Sequence, residues 1–149
     1  MRNYRPAWHR MAKCGQPGAD PHDYDTSTTA RGFDHSLQIV RGVEACEGCP
    51  VMRSCAQWAL DEQASGVVAA GVSLPWAAWW RESYTGHVRQ ALARIVAGED
   101  MMQVVRDEMC RSTTETSARR LIEDRIIAKA RGAVLPRVTR EMITGGAHV

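Results

Sequence analysis

Three of the chain's five cysteines fall inside ten positions, in the stretch EACEGCPVMRSC at residues 44–55. Cys46 and Cys49 enclose two residues, Cys49 and Cys55 enclose five, and 31 residues separate Cys14 from Cys46. This spacing restricts the fold more than any other feature. Two thiols two residues apart reach one metal centre, and Cys55, about a turn and a half beyond Cys49 on a helix, can face the same side. An odd cysteine count without a secretion signal argues against a disulfide scaffold, because reducing compartments keep thiols free. Metal binding is then the better reading. A cluster of several irons tolerates the wider Cys49 to Cys55 span by taking thiolates at separated corners. Zinc usually takes two matched ligand pairs, and here a second C-x2-C is lacking and the five histidines are scattered.

At 149 residues the chain makes one ordinary domain or two small ones. An apolar content of 44% with 24% charged residues excludes wholesale disorder. No run approaches the ~18 uninterrupted apolar residues of a membrane span, and the basic start MRNYRPAWHRMAKC lacks an apolar core, so a cytoplasmic protein without membrane contact is expected. The net charge of +2 is uneven: residues 1–80 carry seven Lys or Arg against eight acids, residues 81–149 twelve against nine. That mild basicity of the second half permits contact with nucleic acid without demanding it.

Residues 14–32, rich in Gly, Pro, Asp and Thr, read as irregular loop. Leu37, Ile39 and Val40 predict a helix over 34–45. Pro50 suits a first helical turn, and Val51, Cys55, Trp58 and Ala59 predict a second helix to about Gln63. Gly66 and Gly71 mark a tight turn within 65–73, and Ser73 can cap a helix on which Trp76, Trp79 and Trp80 share a face. Val88, Ala91, Leu92, Ile95 and Val96 form a stripe that ends near Gly98. Asp100 with Gln103, and Ser112 with Glu115, read as capping boxes opening two further helices, and residues after Gly132 as a loose tail. The fold class expected is therefore all-α: a small helical lobe at 1–74, a helical lobe with helix-turn-helix character at 75–131, and a flexible tail at 132–149.

Cys14 followed by Cys46-x2-Cys49-x5-Cys55 resembles the WhiB-like family of actinobacteria and their phages. Trp8 before the first cysteine, ADP ending at Pro21 after it, Tyr24 at a common aromatic position, CPVMRSC, and a Gly-rich turn in GVVAAG extend the likeness over about residues 8–75. The resemblance implies a 4Fe-4S cluster held by Cys14, Cys46, Cys49 and Cys55, with zinc as the alternative metal. It also implies a small helical fold dependent on the cluster, and the C-terminal region of the principal sigma factor of RNA polymerase as partner. Trp8 and Tyr24 are the partner-binding residues this suggests. The family turn usually carries a Trp, as in GVWGG, whereas Val67, Val68, Ala69 and Ala70 supply none, and Trp76 is the aromatic expected to stand in its place. The altered turn and the C-terminal extension favour a phage origin.

Helix, short turn and helix, with another helix before them, is how helix-turn-helix readers are built, the last helix entering the major groove. Its first residues would be Thr113, Thr114, Thr116 and Ser117, with Arg111, Arg119 and Arg120 near enough for phosphate or guanine contacts to promoter DNA. Cys110, between two helices, reads as structural, and the lone histidines as surface groups. P-loop, G-x-G-x-x-G, H-E-x-x-H and G-x-S-x-G signatures are absent, so neither an enzyme nor a small-molecule substrate is expected. The rival class is a thiol-disulfide oxidoreductase, with Cys46 and Cys49 cycling in the cluster-free form.

Overall fold

A computed structural model describes residues 6–26, 33–75, 86–111 and 115–144. Three short 3-10 turns, Ala7–Met11, Lys13–Gly15 and Pro21–Tyr24, precede six α-helices: α1 (Phe33–Cys46), α2 (Met52–Glu62), α3 (Gly86–Val96), α4 (Met101–Met109), α5 (Thr116–Ala130) and α6 (Arg140–Thr144). Between α2 and α3 lies a small antiparallel hairpin of β1 (Val68–Ala69) and β2 (Val72–Ser73). The architecture is all-α apart from this hairpin. The described residues contain no helix long and apolar enough to cross a membrane.

α1 is the central element, touching α4, α5, α6, β2 and two of the 3-10 turns. Ser36, Leu37, Ile39, Val40, Val43 and Cys46 are all buried, so α1 buries more than one stripe. Gly42 is what lets it approach the hairpin. A Cβ there would stand 3.2 Å from Val68 Cγ1 and 3.4 Å from the Gly71 carbonyl oxygen, tighter than most side chains tolerate. α2 ends in the left-handed residue Gln63, whose N–H donates to the Ala59 carbonyl, a common way to close a helix.

α3 buries Val88, Ala91, Leu92 and Ile95, the stripe its period predicts. Asp100 caps α4 by accepting from the Gln103 N–H at 3.2 Å, and α4 then buries Met101, Met102, Val104, Val105, Glu108 and Met109. α5 seats Ala118 and Ile122 in the core and packs on α1 and α4. The buried residues of both halves of the chain belong to one apolar cluster.

The hairpin occupies the place where a tight turn is expected. Ala70 and Gly71 link its strands with φ of 52° and 80°, the two positive values of a type I′ turn. A bridge from Asp25 to Val67 and a 2.6 Å bond from the Thr26 hydroxyl to the Leu74 carbonyl tie the last 3-10 turn to the hairpin. The second capping box falls on Ser112, outside the described residues. α5 begins at Thr116 with Glu115 at its N-cap and no side-chain cap, and Glu115 lies 3.6 Å from His35. The Trp76, Trp79 and Trp80 face also lies outside the described residues.

The segment expected to be loose after Gly132 is anchored at its end. Residues 131–137 are exposed, but Val138 and Ile143 are buried, and α6 packs on α1 and α5. A side-chain network accounts for this. Arg125 pairs with Glu44 at 2.8 Å and donates to the Pro136 carbonyl at 2.7 Å, while Glu44 also accepts from the Val138 N–H at 2.7 Å. Neither Glu44 nor Arg125 lies on an apolar stripe, so hydrophobic periodicity gives no sign of the pairing.

Candidate metal centre

Four elements bring the four thiols of the sequence pattern to one neighbourhood. Cys14 sits in the second 3-10 turn and is exposed, Cys46 is the buried last residue of α1, Cys49 lies in the loop that follows, and Cys55 is in the first turns of α2. The Cys49 N–H donates to the Cys46 carbonyl at 3.0 Å, closing a tight turn in which Gly48 takes φ of 76°. Lys13 fastens the distant strand of the site by donating to the Glu47 carbonyl at 2.9 Å. No disulfide joins any of the five cysteines.

Electrostatics shows that the sulfurs share a space. Burial pushes the Cys46 thiol up to about 12, opposed by an N–H donated from Gly71 and reinforced by the charges of Cys55, Cys49 and Cys14. Burial likewise pushes Cys55 to about 12, opposed by the Ala70 N–H and reinforced by Cys14 and Cys49. Tyr24, whose hydroxyl donates to the Ala45 carbonyl at 3.2 Å, is raised to about 12 by burial and then by Cys46, Cys14, Asp23 and Cys49. Yet among the described residues no three His, Cys, Asp or Glu side chains converge closely enough to hold one metal ion. The two observations agree if the thiols line a space wider than a single ion.

Such a site disfavours thiolate until a cation arrives. Burial keeps the protons on Cys46 and Cys55, and a bound metal would reverse this by deprotonating its thiols outright. The donor set, four thiols with peptide N–H groups donated to two of them, suits an iron–sulfur cluster. A thiol held near 12 is also a poor nucleophile, which weighs against Cys46 as the attacking member of a redox pair.

The hairpin donors were not evident in the sequence. Their only sign there is the Ala70-Gly71 pair, whose I′ geometry turns successive N–H groups toward the cysteines. α4 supports that turn from outside: a Cβ on Gly71 would fall 2.3 Å from Met101 Sδ. His9 differs from the expected surface role. Its Nε2 lies 3.4 Å from Cys14 Sγ, and the ring is half-buried.

Trp8 packs edge-on against Trp58, ring centres 6.4 Å apart, and both line a groove of about 470 Å³ shared with Arg53, Gln57, Asp61 and Glu62. Tyr24 faces the thiols. Trp76 lies outside the described residues.

The residues expected at a DNA interface divide into groups. Thr113 and Thr114 lie outside the described residues. Thr116, Arg119 and Arg120 are exposed on α5 and Ser117 is half-buried, with Arg119 3.3 Å from Glu123. Arg111 is held at 2.6 Å by the buried Glu108 and also donates to the Asp107 carbonyl. Cys110 is 2% exposed, its thiol raised to about 12 by burial and then by Glu115, and it stands apart from the thiol site.

The site thus belongs to a small helical protein with four neighbouring thiols, two of them under a glycine turn. The family model described as transcription factor WhiB matches residues 8–74, which contain all four of these cysteines and the hairpin. Over that segment the chain is similar to the WhiB family of transcription factors. No curated protein and no solved structure matches the chain.

Proposed function

We propose that the protein is a transcription regulator whose Cys14, Cys46, Cys49 and Cys55 hold a 4Fe-4S cluster, and that it acts with the C-terminal region of the principal sigma factor. The observation that carries this reading is the placement of Cys14, Cys46, Cys49 and Cys55 on the second 3-10 turn, the end of α1, the loop after it and the start of α2, all within the matched residues 8–74. Bound there, the cluster would supply a redox-active cationic core that partly offsets the charge of the four thiolates. The chain's own residues do the rest. The hairpin N–H groups offset charge on Cys46 and Cys55, Lys13 holds the Cys14 turn to the end of α1, and Tyr24 braces the peptide before Cys46.

The partner surface is the groove walled by Trp8 and Trp58, because it lies on α2, which carries Cys55, and on the 3-10 turn just before the one that carries Cys14. Loss of the cluster frees the Cys14 turn, on whose neighbour Trp8 sits, and so couples the centre to docking. Promoter DNA is contacted by the outer face of α5 through Arg119 and Arg120, with Thr116 and Ser117 at its start. Arg111, tied to Glu108, serves more to fix the α4–α5 junction than to reach a phosphate.

The test is purification without oxygen. About four irons and four sulfides per chain with absorbance near about 400 nm are expected, with co-purification of sigma and a salt-dependent shift of promoter DNA. About one zinc per colourless chain would replace the cluster with a structural metal. Reduction of insulin by metal-free protein, lost on Cys46→Ser, would favour the oxidoreductase.

A further inference from the structure

Two of the four sulfurs receive backbone donors, Cys46 from Gly71 and Cys55 from Ala70. Cys14 lies on the opposite, exposed side of the site, and there a side chain takes the corresponding place: His9 Nε2 stands 3.4 Å from Cys14 Sγ. This distance is within the range of a hydrogen bond to sulfur. The ring is positioned from several directions. The His9 N–H donates to the Pro6 carbonyl at 2.9 Å, its carbonyl accepts from Ala12 at 3.0 Å, and its ring centre lies 6.5 Å from that of Trp8, which packs on Trp58 of α2. Gly15 completes the enclosure. A Cβ at that position would fall 2.3 Å from the His9 carbonyl oxygen, so only glycine lets the Cys14 turn close against His9.

We propose that His9 is a positioning and tuning residue for the Cys14 corner of the metal centre, donating Nε2–H to the Cys14 thiolate. The inference rests on the iron–sulfur reading above. In the metal-free thiol either partner can donate. Once Cys14 binds iron its sulfur has no proton to give, so the bond survives only with the hydrogen on Nε2. A donor to a ligand sulfur withdraws charge from it, which stabilises the more negative, reduced cluster and raises the reduction potential. It also restrains the most solvent-accessible of the four ligands, the corner from which iron is most easily lost.

The experiment uses the full chain, loaded without oxygen, as wild type, His9→Leu and His9→Gln. Leu fills the space without a donor, and Gln places an amide N–H at similar reach. Voltammetry and iron release to a chelator are measured on samples of known iron and sulfide content. His9→Leu is expected to lower the reduction potential and to release iron about 10-fold faster, and His9→Gln to recover most of both. Unchanged potential in His9→Leu with full iron content would overturn the proposal, as would equal shifts in Leu and Gln, which would indicate packing alone. If His9→Leu cannot retain iron, His9→Gln decides: retention with near wild-type potential supports the donor role, and equal loss refutes it. Wild-type protein lacking iron and sulfide would instead defeat the cluster reading itself, an outcome distinguishable before any variant is compared.

Discussion

Two regions of the molecule are held by different physics. Between Pro6 and Thr26 the chain forms three 3-10 turns, none of which contains a buried residue, and of their neighbours only Ala12 and Thr26 are buried. From Gly86 to Ala130 it forms three helices with apolar faces, and Val88, Leu92, Ile95, Val104, Val105 and Ile122 are sealed from solvent. The second region stabilises itself by removing apolar surface from water, at roughly 25 cal/mol per Å². The first has little such surface to remove and relies on hydrogen bonds, the ion pair of Arg137 with Asp23, and its thiol. A metal centre at Cys14, as proposed, would then hold that edge while the helical body stays fixed by its own packing.

The largest test of this contrast is Cys46→Ser. Structural metal sites contribute on the order of 10 kcal/mol, so iron content is expected to collapse and amides of residues 6–26 to exchange freely, while those of α3 and α4 stay protected. Equal loss of protection in both regions would break the comparison. Leu92→Ala attacks the other side. A fully buried leucine between α3 and its neighbours should cost about 2–5 kcal/mol in thermal or denaturant unfolding, with iron retained until the whole chain melts.

The seam between α1 and the C-terminal segment is measured by Glu44→Ala. This removes the partner of the mostly buried Arg125 and the acceptor of the Val138 N–H, at a cost of about 3 kcal/mol. The change should release residues 131–144 first, read by proteolysis at 131–137. Arg125→Met in the same background should recover part of the loss, because the unpaired buried cation is then gone.

Acid sharpens the contrast differently. Arg94 bonds Glu99, Asp107 and Glu108 at 2.8, 3.0 and 3.2 Å. Its hydrogen bond holds Glu99 below the usual carboxylate range. For Asp107 burial works upward, but Arg106 and Arg94 together outweigh it and the carboxyl is also lowered. Folded values below unfolded ones mean stabilisation that is present above pH about 4 and lost as pH falls through the folded values. The α3–α4 pair should lose stability there, and Arg94→Met should flatten that acid limb. The smallest effect belongs to Ala70→Gly. Relief of positive φ, about 1 kcal/mol, is offset by the greater freedom of glycine in the unfolded chain, leaving a stabilisation of a few tenths of a kcal/mol and unchanged iron content.

Much of the helical body was legible from periodicity. The α3 stripe, the Asp100 cap and the extent of α2 follow from spacing and side-chain chemistry over a few residues. The approach of Glu115 to His35 was not, because it joins α5 to α1 across residues far apart in sequence. Anchoring of the tail was illegible for a similar reason: Val138 and Ile143 are isolated apolar residues whose burial depends on a surface of α1 formed far away in sequence.

The candidate site divides along the same line. Cys46, Cys49 and Cys55 announce themselves by local spacing, and the likeness of the whole pattern added Cys14. The donors around them did not, since His9 beside Cys14 and the Ala70 and Gly71 N–H groups beneath Cys55 and Cys46 depend on backbone direction.

The sequence by itself determined which residues can ligate and which segments prefer helix, because thiol chemistry and backbone period are properties of single residues and near neighbours. Only the tertiary structure decided how Cys14 approaches the other sulfurs, which arginines are already paired, and how the C-terminal segment closes on α1. Those outcomes depend on distances between residues tens of positions apart, and such distances are fixed by packing of the whole chain.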